Sequence, residues 1–486
     1  MFDENKEKQF ILQLFNLEYS DVQDVSCIRA GNTVIIDIIL VSDPVPCPIC
    51  GCDQPHIKNY VTKNITHSVL SDRRCTLRYH ARRYVCPVCG KTYYEHNPFV
   101  FKSMKISALT VYNILNDLKN YNETFSSVAK RYYISSTTVA SIFDSHVDMK
   151  RKKLPEMINF DEVYAFRSDD SKYVCVLLDF KTHDPIDALP SRRYDYLHSY
   201  FMRIPKEERD NVRYVCSDMY DCYRSIARTC FPNSVCIVDH FHLSQELGRR
   251  IDSVRIRTMK KYSGNRKSDE YYLLKKFNWM IFKSDINSEP VMDPNAERKW
   301  NGHFRKYMNL YEIKDLLFGI DPQLQEAWNM KDSIVDFYST ATIENAGEKL
   351  NRIIEEFDDS SVTEMNAFAK TLKKWRKEII NSFHIVGYEY QIDQSTGHVA
   401  AQEKKMNNAI IENRNSIIKC IKKNANGYTN WTRFRNRVLY VLDKNSSYSM
   451  YPMKQSDWLN LSEKMMKTDM NTCPQALKNL HQASVT

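Results

Sequence analysis

The feature that most constrains the fold is the order of strand-like and helix-like segments between residues 158 and 243. Apolar, β-branched runs such as "KYVCVLLDF" alternate with segments such as "YDCYRSIARTC". Runs of the first kind predict buried strands, and amphipathic segments of the second kind predict helices that pack on a sheet. The order is three strands, a helix, a strand, a helix and a fifth strand. This order predicts an α/β domain built on one sheet.

Two acidic residues occupy informative positions in this segment. Asp161 lies within the first strand, "MINFDEVYAF", and Asp218 ends the fourth strand, "VRYVCSD". The order of elements is that of a ribonuclease-H-like fold, in which these two strands are neighbours. Two carboxylates held close together repel each other, and a site that keeps both ionised usually binds cations. Asp161 and Asp218 are therefore predicted to form half of a divalent-metal site.

A two-metal site for phosphoryl transfer usually needs a third acid. Glu412 lies in "NNAIIENRNSIIKCIKK", a helical pattern whose isoleucines form one apolar stripe, with Glu412 on the opposite polar face. Glu344, in "TATIENAGEKL", fits the spacing equally well. Asp239 ends the fifth strand, and Asp239 and His242 are near-site candidates. The alternative for these two residues is a strand-to-helix cap with a packed imidazole.

Two cysteine pairs predict a second metal site. The pairs are "CPICG" and "CPVCG", with the ligands Cys47, Cys50, Cys86 and Cys89. Each pair places two thiolates on one side of a metal ion, and two pairs complete the tetrahedral shell that Zn²⁺ prefers. A closed site of this kind stabilises a fold and does not catalyse. The alternatives are free thiols in two coincident turns, or a site in which Cys52 or Cys75 substitutes as a ligand.

Residues 126–146 have the pattern of a helix-turn-helix. A short helix from about Ser126 to Tyr132 is followed by the turn "YIS" and by a second helix from about Ser136 to His146. The side chains predicted to face DNA from the second helix are Ser136, Thr137, Thr138 and Ser141. An ordinary helical hairpin is the alternative interpretation.

The charge distribution favours a polyanionic partner. The net charge is +9, and residues 404–437 contain nine Lys or Arg but one acid, Glu412. The basic side chains predicted to contact DNA phosphates are Arg82, Arg83, Lys419, Arg433 and Arg435. A solvated strand face, or a helix packed by its aromatic residues, would explain the same positions without DNA.

The composition argues against several other classes. The 486 residues are 43% hydrophobic and 27% charged, as in globular proteins. No apolar run reaches the roughly 18 residues of a membrane span, and the first ten residues lack the apolar core of a signal peptide. The stretch "GKT" at Gly90 is not a phosphate-binding loop, because Val85 stands where the second glycine is needed. A cytoplasmic protein with reduced cysteines is expected.

Several motifs together resemble the DDE transposases of the ISL-three family of bacterial insertion sequences. The resemblance extends from Cys47 to about Leu442 and rests on "CPICG … RRYVCPVCGK", "INFDEVYAF", "VCSDMYDCYRSIARTCFPNSVCIVDHFHL" and "NNAIIENRNSIIKCIKKNANGYTNWTRFRNRVL". This chain has "NNA" where that family tends to have Ser-Asn-Gly, and "EN" where Glu-Gly is more usual. The resemblance implies that Glu412, rather than Glu344, is the third acid.

The resemblance also implies a function. Asp161, Asp218 and Glu412 would hold Mg²⁺ or Mn²⁺ for cleavage and transfer of DNA strands, and the cysteines would hold a structural Zn²⁺. The partners would be terminal inverted repeats and target DNA, with no membrane, and a homodimer would join two ends in a bacterial, nucleoid-associated complex. The alternative is a decayed or domesticated DNA-binding repressor. A metal-dependent nuclease of defence or repair is a third interpretation.

The expected fold class is multidomain α+β, with a zinc-binding β module, a helix-turn-helix and a ribonuclease-H-like α/β catalytic domain interrupted by an all-helical insertion. The expected bounds, in chain order, are 1–100 for the zinc module, 101–150 for the helix-turn-helix, 151–245 for the first part of the catalytic core, 246–400 for the insertion, 401–445 for the last part of the core with the third acid, and 446–486 for a C-terminal tail.

Overall fold

The computed structural model describes Leu12 and residues 17–42, 45–70, 73–101, 104–168, 171–282, 293–392 and 399–452. The chain divides into two units, residues 1–150 with 417–486 and residues 151–416. Within the described residues it forms four β-sheets and fifteen α-helices, so the fold is mixed α+β. None of the described helices combines the length and the apolar character that a membrane span requires. Most of the predicted C-terminal tail, from residue 453 onward, lies outside the described residues.

The strands are β1 (Val22–Ala30), β2 (Thr33–Leu40), β3 (His56–Leu70), β4 (Arg73–Val85), β5 (Thr92–Tyr94), β6 (Met157–Val163), β7 (Val174–Asp179), β8 (Pro185–Leu189), β9 (Tyr214–Ser217), β10 (Val235–Val238), β11 (Lys299–Asn301), β12 (Lys306–Met308), β13 (Ile385–Ile392) and β14 (Val399–Lys405).

The helices are α1 (Ala108–Asp117), α2 (Phe125–Arg131), α3 (Ser136–His146), α4 (Tyr194–Met202), α5 (Lys206–Asp210), α6 (Asp221–Cys230), α7 (His240–Lys261), α8 (Asp269–Lys276), α9 (Trp279–Phe282), α10 (Leu310–Phe318), α11 (Pro322–Thr340), α12 (Ala346–Asp358), α13 (Thr363–Asn381), α14 (Ala409–Asn424) and α15 (Trp431–Leu442).

The first unit contains a five-stranded sheet in the order β1-β2-β4-β3, with β5 paired to β4. Strands β2 and β4 are parallel, and the other neighbours are antiparallel. Strand β4 alternates buried and half-exposed residues, because successive side chains of a strand point to opposite faces. Its buried residues Cys75, Leu77 and Tyr79 lie in the core of this sheet.

Helices α2 and α3 of the same unit occupy the predicted helix-turn-helix. Helix α3 has the predicted bounds, and α2 is shifted by one residue. Each helix begins at a hydroxyl cap: Thr124 accepts from the N–H of Ser127, and Ser135 accepts from the N–H of Thr138. Tyr133, in the turn, has a φ of 55°, a conformation that lets the chain reverse between the helices.

The second unit is built on a five-stranded sheet in the order β10-β9-β6-β7-β8. Strand β9 lies parallel to both β10 and β6, whereas β7 and β8 continue the sheet antiparallel. The apolar runs of β6 and β7 are buried almost throughout. Phe160 of β6 stacks on Phe201 of α4 and meets Tyr223 of α6 edge-on, so both helices pack on this sheet.

The segment 246–400 differs in part from its prediction. It is mostly helical, and α7, α11, α12 and α13 share one apolar core, but it also contains β11, β12 and β13. Residues 399–405 form β14, a strand that the sequence analysis does not predict. The Ala, Glu and Lys of "VAAQEKK" favour a helix locally. Antiparallel pairing with "IVGYEYQI", which is rich in β-branched and aromatic residues, overrides that preference.

We predict that Glu95→Ala will destabilise the first unit strongly. Glu95 accepts from Tyr79 Oη at 2.6 Å and pairs with Arg82, whose side chain is 2% exposed. Removing the acid leaves a buried guanidinium without its counter-charge, which costs about 3–5 kcal/mol. The same substitution at Glu156, whose pair with Lys181 is exposed to solvent, should leave the urea midpoint close to that of wild type. Urea unfolding of the full chain measures both, and equal midpoints for the two variants would contradict the prediction.

Candidate active site and metal centres

Three strands of the second sheet place carboxylates at the end of the sheet where these strands have their carboxyl termini, which is called the sheet edge below. Asp161 lies in β6, Asp218 directly follows β9, and Asp239 directly follows β10. Strand β6 is parallel to β9, and β9 is parallel to β10. If these registers are continued along the strands, Asp161 lies opposite Asp218, and Asp218 lies opposite Asp239. Level residues of neighbouring parallel strands point to the same face. The strand order therefore brings three carboxyl groups together at the carboxyl ends of the strands, where open α/β sheets bind ligands.

The carboxyl groups interact electrostatically. The pKa of Asp161 is raised to about 6, chiefly by burial and also by the nearby carboxylates of Glu162 and Glu412, although the N–H of Glu162 and the interaction with His242 oppose them. Burial also raises the pKa of Asp218 to about 8, with added repulsion from Glu162 and Asp161. Both groups are disfavoured as anions because the sheet edge concentrates negative charge away from water.

The start of α14 is fixed to this edge by Asn408, which is fully buried. The N–H of Asn408 donates to Asp239 Oδ1 at 3.2 Å, and its side-chain amide donates to the carbonyl of Phe160 at 3.2 Å. Asn159 Nδ2 donates to Asn408 Oδ1 at 2.7 Å. Glu412 lies in the first turn of α14, and its N–H donates to the carbonyl of Asn408. These bonds hold the helix start against β6 and beside Asp239.

Two further contacts connect α14 with the acids. Asn415 Nδ2 donates to Asp161 Oδ2 at 2.7 Å. His242 Nε2 lies 3.8 Å from Glu412 Oε1 and 4.0 Å from Asp239 Oδ2. Asp239, His242 and Glu412 each offer a ligand atom within 4.8 Å of the other two. Glu412 is thus next to Asp239 and His242 and interacts with Asp161, whereas Glu344 is exposed in the turn before α12.

Unsatisfied polar atoms at this edge are consistent with a bound cation. Four buried atoms have no hydrogen-bond partner among the described residues: Asp218 Oδ1, Asp239 Oδ2, His242 Nε2 and Asn415 Oδ1. A buried polar atom without a partner is costly and calls for an explanation. Carboxylate oxygens are the ligands that Mg²⁺ and Mn²⁺ prefer. The donor set is therefore compatible with a divalent metal ion.

Sequence reasoning missed an arginine beside Asp218. Arg192 pairs with the carboxylate of Glu162, and its guanidinium lies over the rings of Tyr173 at 4.2 Å and Tyr220 at 4.8 Å. It partly offsets the repulsion that raises the pKa of Asp218. The only sequence signal for it was a basic pair shortly after a buried strand.

Sequence reasoning also missed the roles of Asn159 and Asn408. Asn159 lies two residues before Asp161 on β6, so the two side chains share a face. The two-residue spacing from Asp161 could therefore have identified Asn159 as a residue near the site. Asn408 had a weaker signal, since asparagine just before a helix is common.

The four predicted zinc ligands come together in the first unit. The Sγ atoms of Cys47, Cys50, Cys86 and Cys89 all lie within 4.8 Å of one another. The pKa of Cys86 is lowered to about 6, first by the N–H of Cys89, and that of Cys47 is also lowered, whereas contacts with the neighbouring thiols raise the pKa of Cys50 and Cys89. Cys52 and Cys75 are not part of this cluster, and Cys75 is buried in the sheet core. The cluster is compatible with a structural Zn²⁺.

Both cysteine turns have the same backbone geometry. Gly51 and Gly90 have φ angles of 72° and 69°, which a residue with a side chain adopts rarely. Their N–H groups donate to the carbonyls of Cys47 and Cys86 at 2.9 and 3.0 Å. The glycine after each "CPxC" therefore lets the chain close a tight turn around the thiols.

The predicted DNA-facing side chains of α3 lie on its outer surface. Ser136, Thr137 and Ser141 are exposed and Thr138 is half-buried, whereas Val139, Ala140, Ile142 and Phe143 form the buried face. The outer face is thus polar and carries short side chains. This pattern leaves the outer side of the helix open to a partner.

The basic residues predicted to contact DNA phosphates lie in different environments. Lys419 is exposed, and Arg83 is half-buried and donates to Thr92 Oγ1 at 3.1 Å. Arg82 is 1% exposed and paired with Glu95, so its guanidinium lies inside the module rather than on its surface. A strand charge pattern cannot reveal this, because a buried arginine depends on a partner elsewhere in the sequence.

The cationic residues of α15 also have partners within the first unit. Arg433 binds both oxygens of Asp144, and Arg435 donates to the carbonyl of Met149 at 2.7 Å. Phe434 is fully buried against Tyr428 and Trp431, so it does not offer a face for base stacking. Trp431 is half-buried. The alternative interpretation, in which this helix packs within the protein instead of contacting DNA, therefore accounts for Arg433, Phe434 and Arg435.

The class of protein follows from comparison of the chain with known families. A family model described as a transposase matches residues 158–388 and 392–438, more than half of the chain, and the chain belongs to this ISL-three family of DDE transposases. The resemblance seen in the sequence is thereby confirmed. Among relatives, the transposase for insertion sequence element IS1001 of Bordetella parapertussis is 19% identical over 403 residues, which cover 82% of this chain and 89% of that protein.

We predict that Asn408→Ala will loosen the start of α14. The change removes the side-chain bonds to the carbonyl of Phe160 and from Asn159, and it leaves buried groups unpaired, at a cost of about 1–3 kcal/mol. Asn413→Ala, an exposed change on the same helix, should cost less than about 0.5 kcal/mol. Urea unfolding and amide exchange over residues 409–416 measure the effects. Unchanged exchange in the Asn408 variant would refute this role.

Proposed function

We propose that the protein is the DNA transposase of an insertion sequence, which binds terminal inverted repeats and catalyses metal-dependent strand cleavage and transfer with Asp161, Asp218 and Glu412. One observation supports this most: Glu412, nearly two hundred residues beyond Asp218, interacts with Asp161 at the edge where Asp218 lies. Membership in the transposase family supports the same conclusion. All three carboxylates are retained, which disfavours a repressor without catalysis.

Each group at the site has a role in this proposal. Asp161, Asp218 and Glu412 would hold Mg²⁺ or Mn²⁺, which when bound stabilises charge on a phosphodiester and makes water a better nucleophile. Asn415 fixes one oxygen of Asp161 by its hydrogen bond. Asp239 anchors the start of α14 through Asn408, and His242 stands between Asp239 and Glu412. Asp239 and His242 would thus position Glu412, and their unsatisfied atoms Oδ2 and Nε2 would be available to the same metal ion.

We also propose the finer domain assignment. The sheet order, with antiparallel β6–β8 followed by parallel β9 and β10, supports a ribonuclease-H-like core. In this assignment the parts of the chain are the zinc module 1–100, the helix-turn-helix 101–150, the core 151–245 and 401–445, the insertion 246–400 with β11, β12 and β13, and the tail 446–486.

DNA recognition in this proposal belongs to the first unit. The polar outer face of α3, with Ser136, Thr137, Thr138 and Ser141, would read the terminal repeat. Exposed Lys419 and half-buried Arg83 would contact phosphates. Arg433 and Arg435 would do so only by exchanging their present partners, and Arg82 serves the fold instead. A homodimer would hold two ends together for strand transfer.

We predict that Asp161→Asn, Asp218→Asn and Glu412→Gln will each reduce cleavage of DNA that carries the element's end by at least about a thousandfold. Binding of the same DNA should stay within about threefold of wild type, because the proposed recognition surface lies elsewhere in the chain. The assay is strand cleavage by the purified full chain with Mg²⁺ or Mn²⁺, beside fluorescence anisotropy for binding.

Glu344→Gln is the matched control, since it makes the same change at the competing exposed glutamate. It should retain wild-type cleavage. Full activity of the Glu412 variant together with loss in the Glu344 variant would overturn the assignment. End binding by the wild type without cleavage under any divalent metal would favour the repressor.

We predict that the four-cysteine cluster holds Zn²⁺. Metal analysis of the purified chain should find about one Zn²⁺ per chain, and Cys86→Ser should remove most of it, because a structural site needs all four ligands. Cys420→Ser, at an exposed cysteine of α14, should leave the content unchanged. Chelation should lower the melting temperature of the wild type more than that of the Cys86 variant. Equal zinc in the two serine variants would exclude the cluster as the site.

A further inference from the structure

An open cavity of about 790 Å³ in the second unit is lined by cations and lies outside the acidic site. Five of its nine lining residues carry a positive charge, and none carries a carboxylate. The five are Arg266, Lys267, Lys275, Lys276 and Arg305. All five are exposed. The cavity therefore presents concentrated positive charge to solvent.

This charge is not neutralised by neighbouring acids. Among the described residues, no ion pair is found for any of the five cations, although nearby Lys261 pairs with Asp321 and Arg298 pairs with Glu312. Asp269, on α8, is occupied by His303 Nε2 at 2.8 Å. Basic residues close by in the sequence thus have acidic partners, and those of the cavity do not.

Three separate elements hold the cations around one concavity. Arg266 and Lys267 lie between α7 and α8, Lys275 and Lys276 lie in the last turn of α8, and Arg305 lies between β11 and β12. The ring of Tyr272 stacks on that of His303 with centroids 3.9 Å apart and planes 5° apart, which joins α8 to the hairpin. The arrangement is therefore fixed by tertiary packing and is not a run of adjacent basic residues.

The hairpin also carries exposed aromatic rings beside the cations. Arg305 has a φ of 52°, a left-handed conformation that closes the loop between β11 and β12. Trp300 and Tyr307 pair edge-on across the hairpin and are 58% and 66% exposed. Large exposed aromatic rings beside cations are typical of surfaces that bind nucleic acid.

We propose that this cavity is a second DNA-contact site, which takes the phosphate backbone of duplex DNA and is separate from the helix-turn-helix in sequence. The proposal rests on the proposed function, because the cavity's chemistry specifies a polyanion and the transposase reaction supplies DNA. Unpaired cations that meet phosphates release counterions, so this contact strengthens binding to any sequence and makes it salt-dependent. The site would add affinity without reading bases.

The test is the full chain carrying Arg266→Gln, Lys267→Gln and Arg305→Gln together. Its control carries Arg249→Gln, Arg298→Gln and Arg352→Gln, three exposed arginines that already have acidic partners, so the net charge changes equally. Anisotropy at several salt concentrations gives the dissociation constant for a duplex with the element's end and for a random duplex. Circular dichroism and melting temperature verify that both proteins fold.

The cavity variant should bind both duplexes at least tenfold more weakly at low salt. The slope of log K against log salt should become shallower by about 0.9 for each lost phosphate contact, hence by roughly 2–3. The control should keep the wild-type slope within about 0.5. If the triple variant melts early, Lys275→Gln with Lys276→Gln on α8 replaces it, with an expected decrease in slope of up to about 2.

The outcomes separate the two proposals. Wild-type slope and affinity in the folded cavity variants would overturn this site and leave the transposase assignment standing. Equal losses in cavity and control variants would also overturn it, since the effect would then be one of net charge alone. Absence of DNA binding by the wild type would instead refute the proposed function.

Discussion

Mutual repulsion among carboxylates at the end of β6, β9 and β10 is the constraint on which the rest of the second unit depends. Folding places Asp161 and Asp218 side by side with little access to water, and their raised pKa values express the cost. Donors offset part of it: Asn415 and the N–H of Glu162 each bond an oxygen of Asp161. Helix α7 begins directly after Asp239 and directs the positive end of its dipole to the same place.

These donors do not satisfy every buried carboxylate oxygen at the site. Oxygens of Asp218 and Asp239 lack partners among the described residues, in a sheet whose apolar residues are otherwise well packed. A chain selected for stability alone would replace such acids with apolar residues. The amide groups of Asn159 and Asn408 hold the helix that carries Glu412 against β6 and beside Asp239, and so they add another acid to a crowded place. A bound cation would interact with the carboxylate oxygens that lack hydrogen-bond partners and would offset the repulsion among the acids.

Sequence alone predicted those features that depend on local pattern. The strands and helices of the second sheet follow from apolar periodicity, the Asp218 position from the end of a strand, and the cysteine cluster from two identical turns. Glu412 could not be separated from Glu344 by periodicity, because the choice depends on which helix packs at the sheet edge. Strand β14 was missed since its pairing with β13 overrides its helical composition.

The acidic site also explains why DNA affinity would have to come from elsewhere in the chain. A phosphodiester that approaches Asp161, Asp218 and Asp239 meets like charge, and the guanidinium of nearby Arg192 is already paired with Glu162. Favourable contacts far from the reacting group can supply the binding energy that holds a substrate where it is otherwise repelled. The polar face of α3, with its hydrogen-bonding hydroxyls, and the cavity's cations, for which no ion pair is found among the described residues, are suited to that role. Under the proposed function, the carboxylates would hold the metal while residues of other elements would hold the DNA.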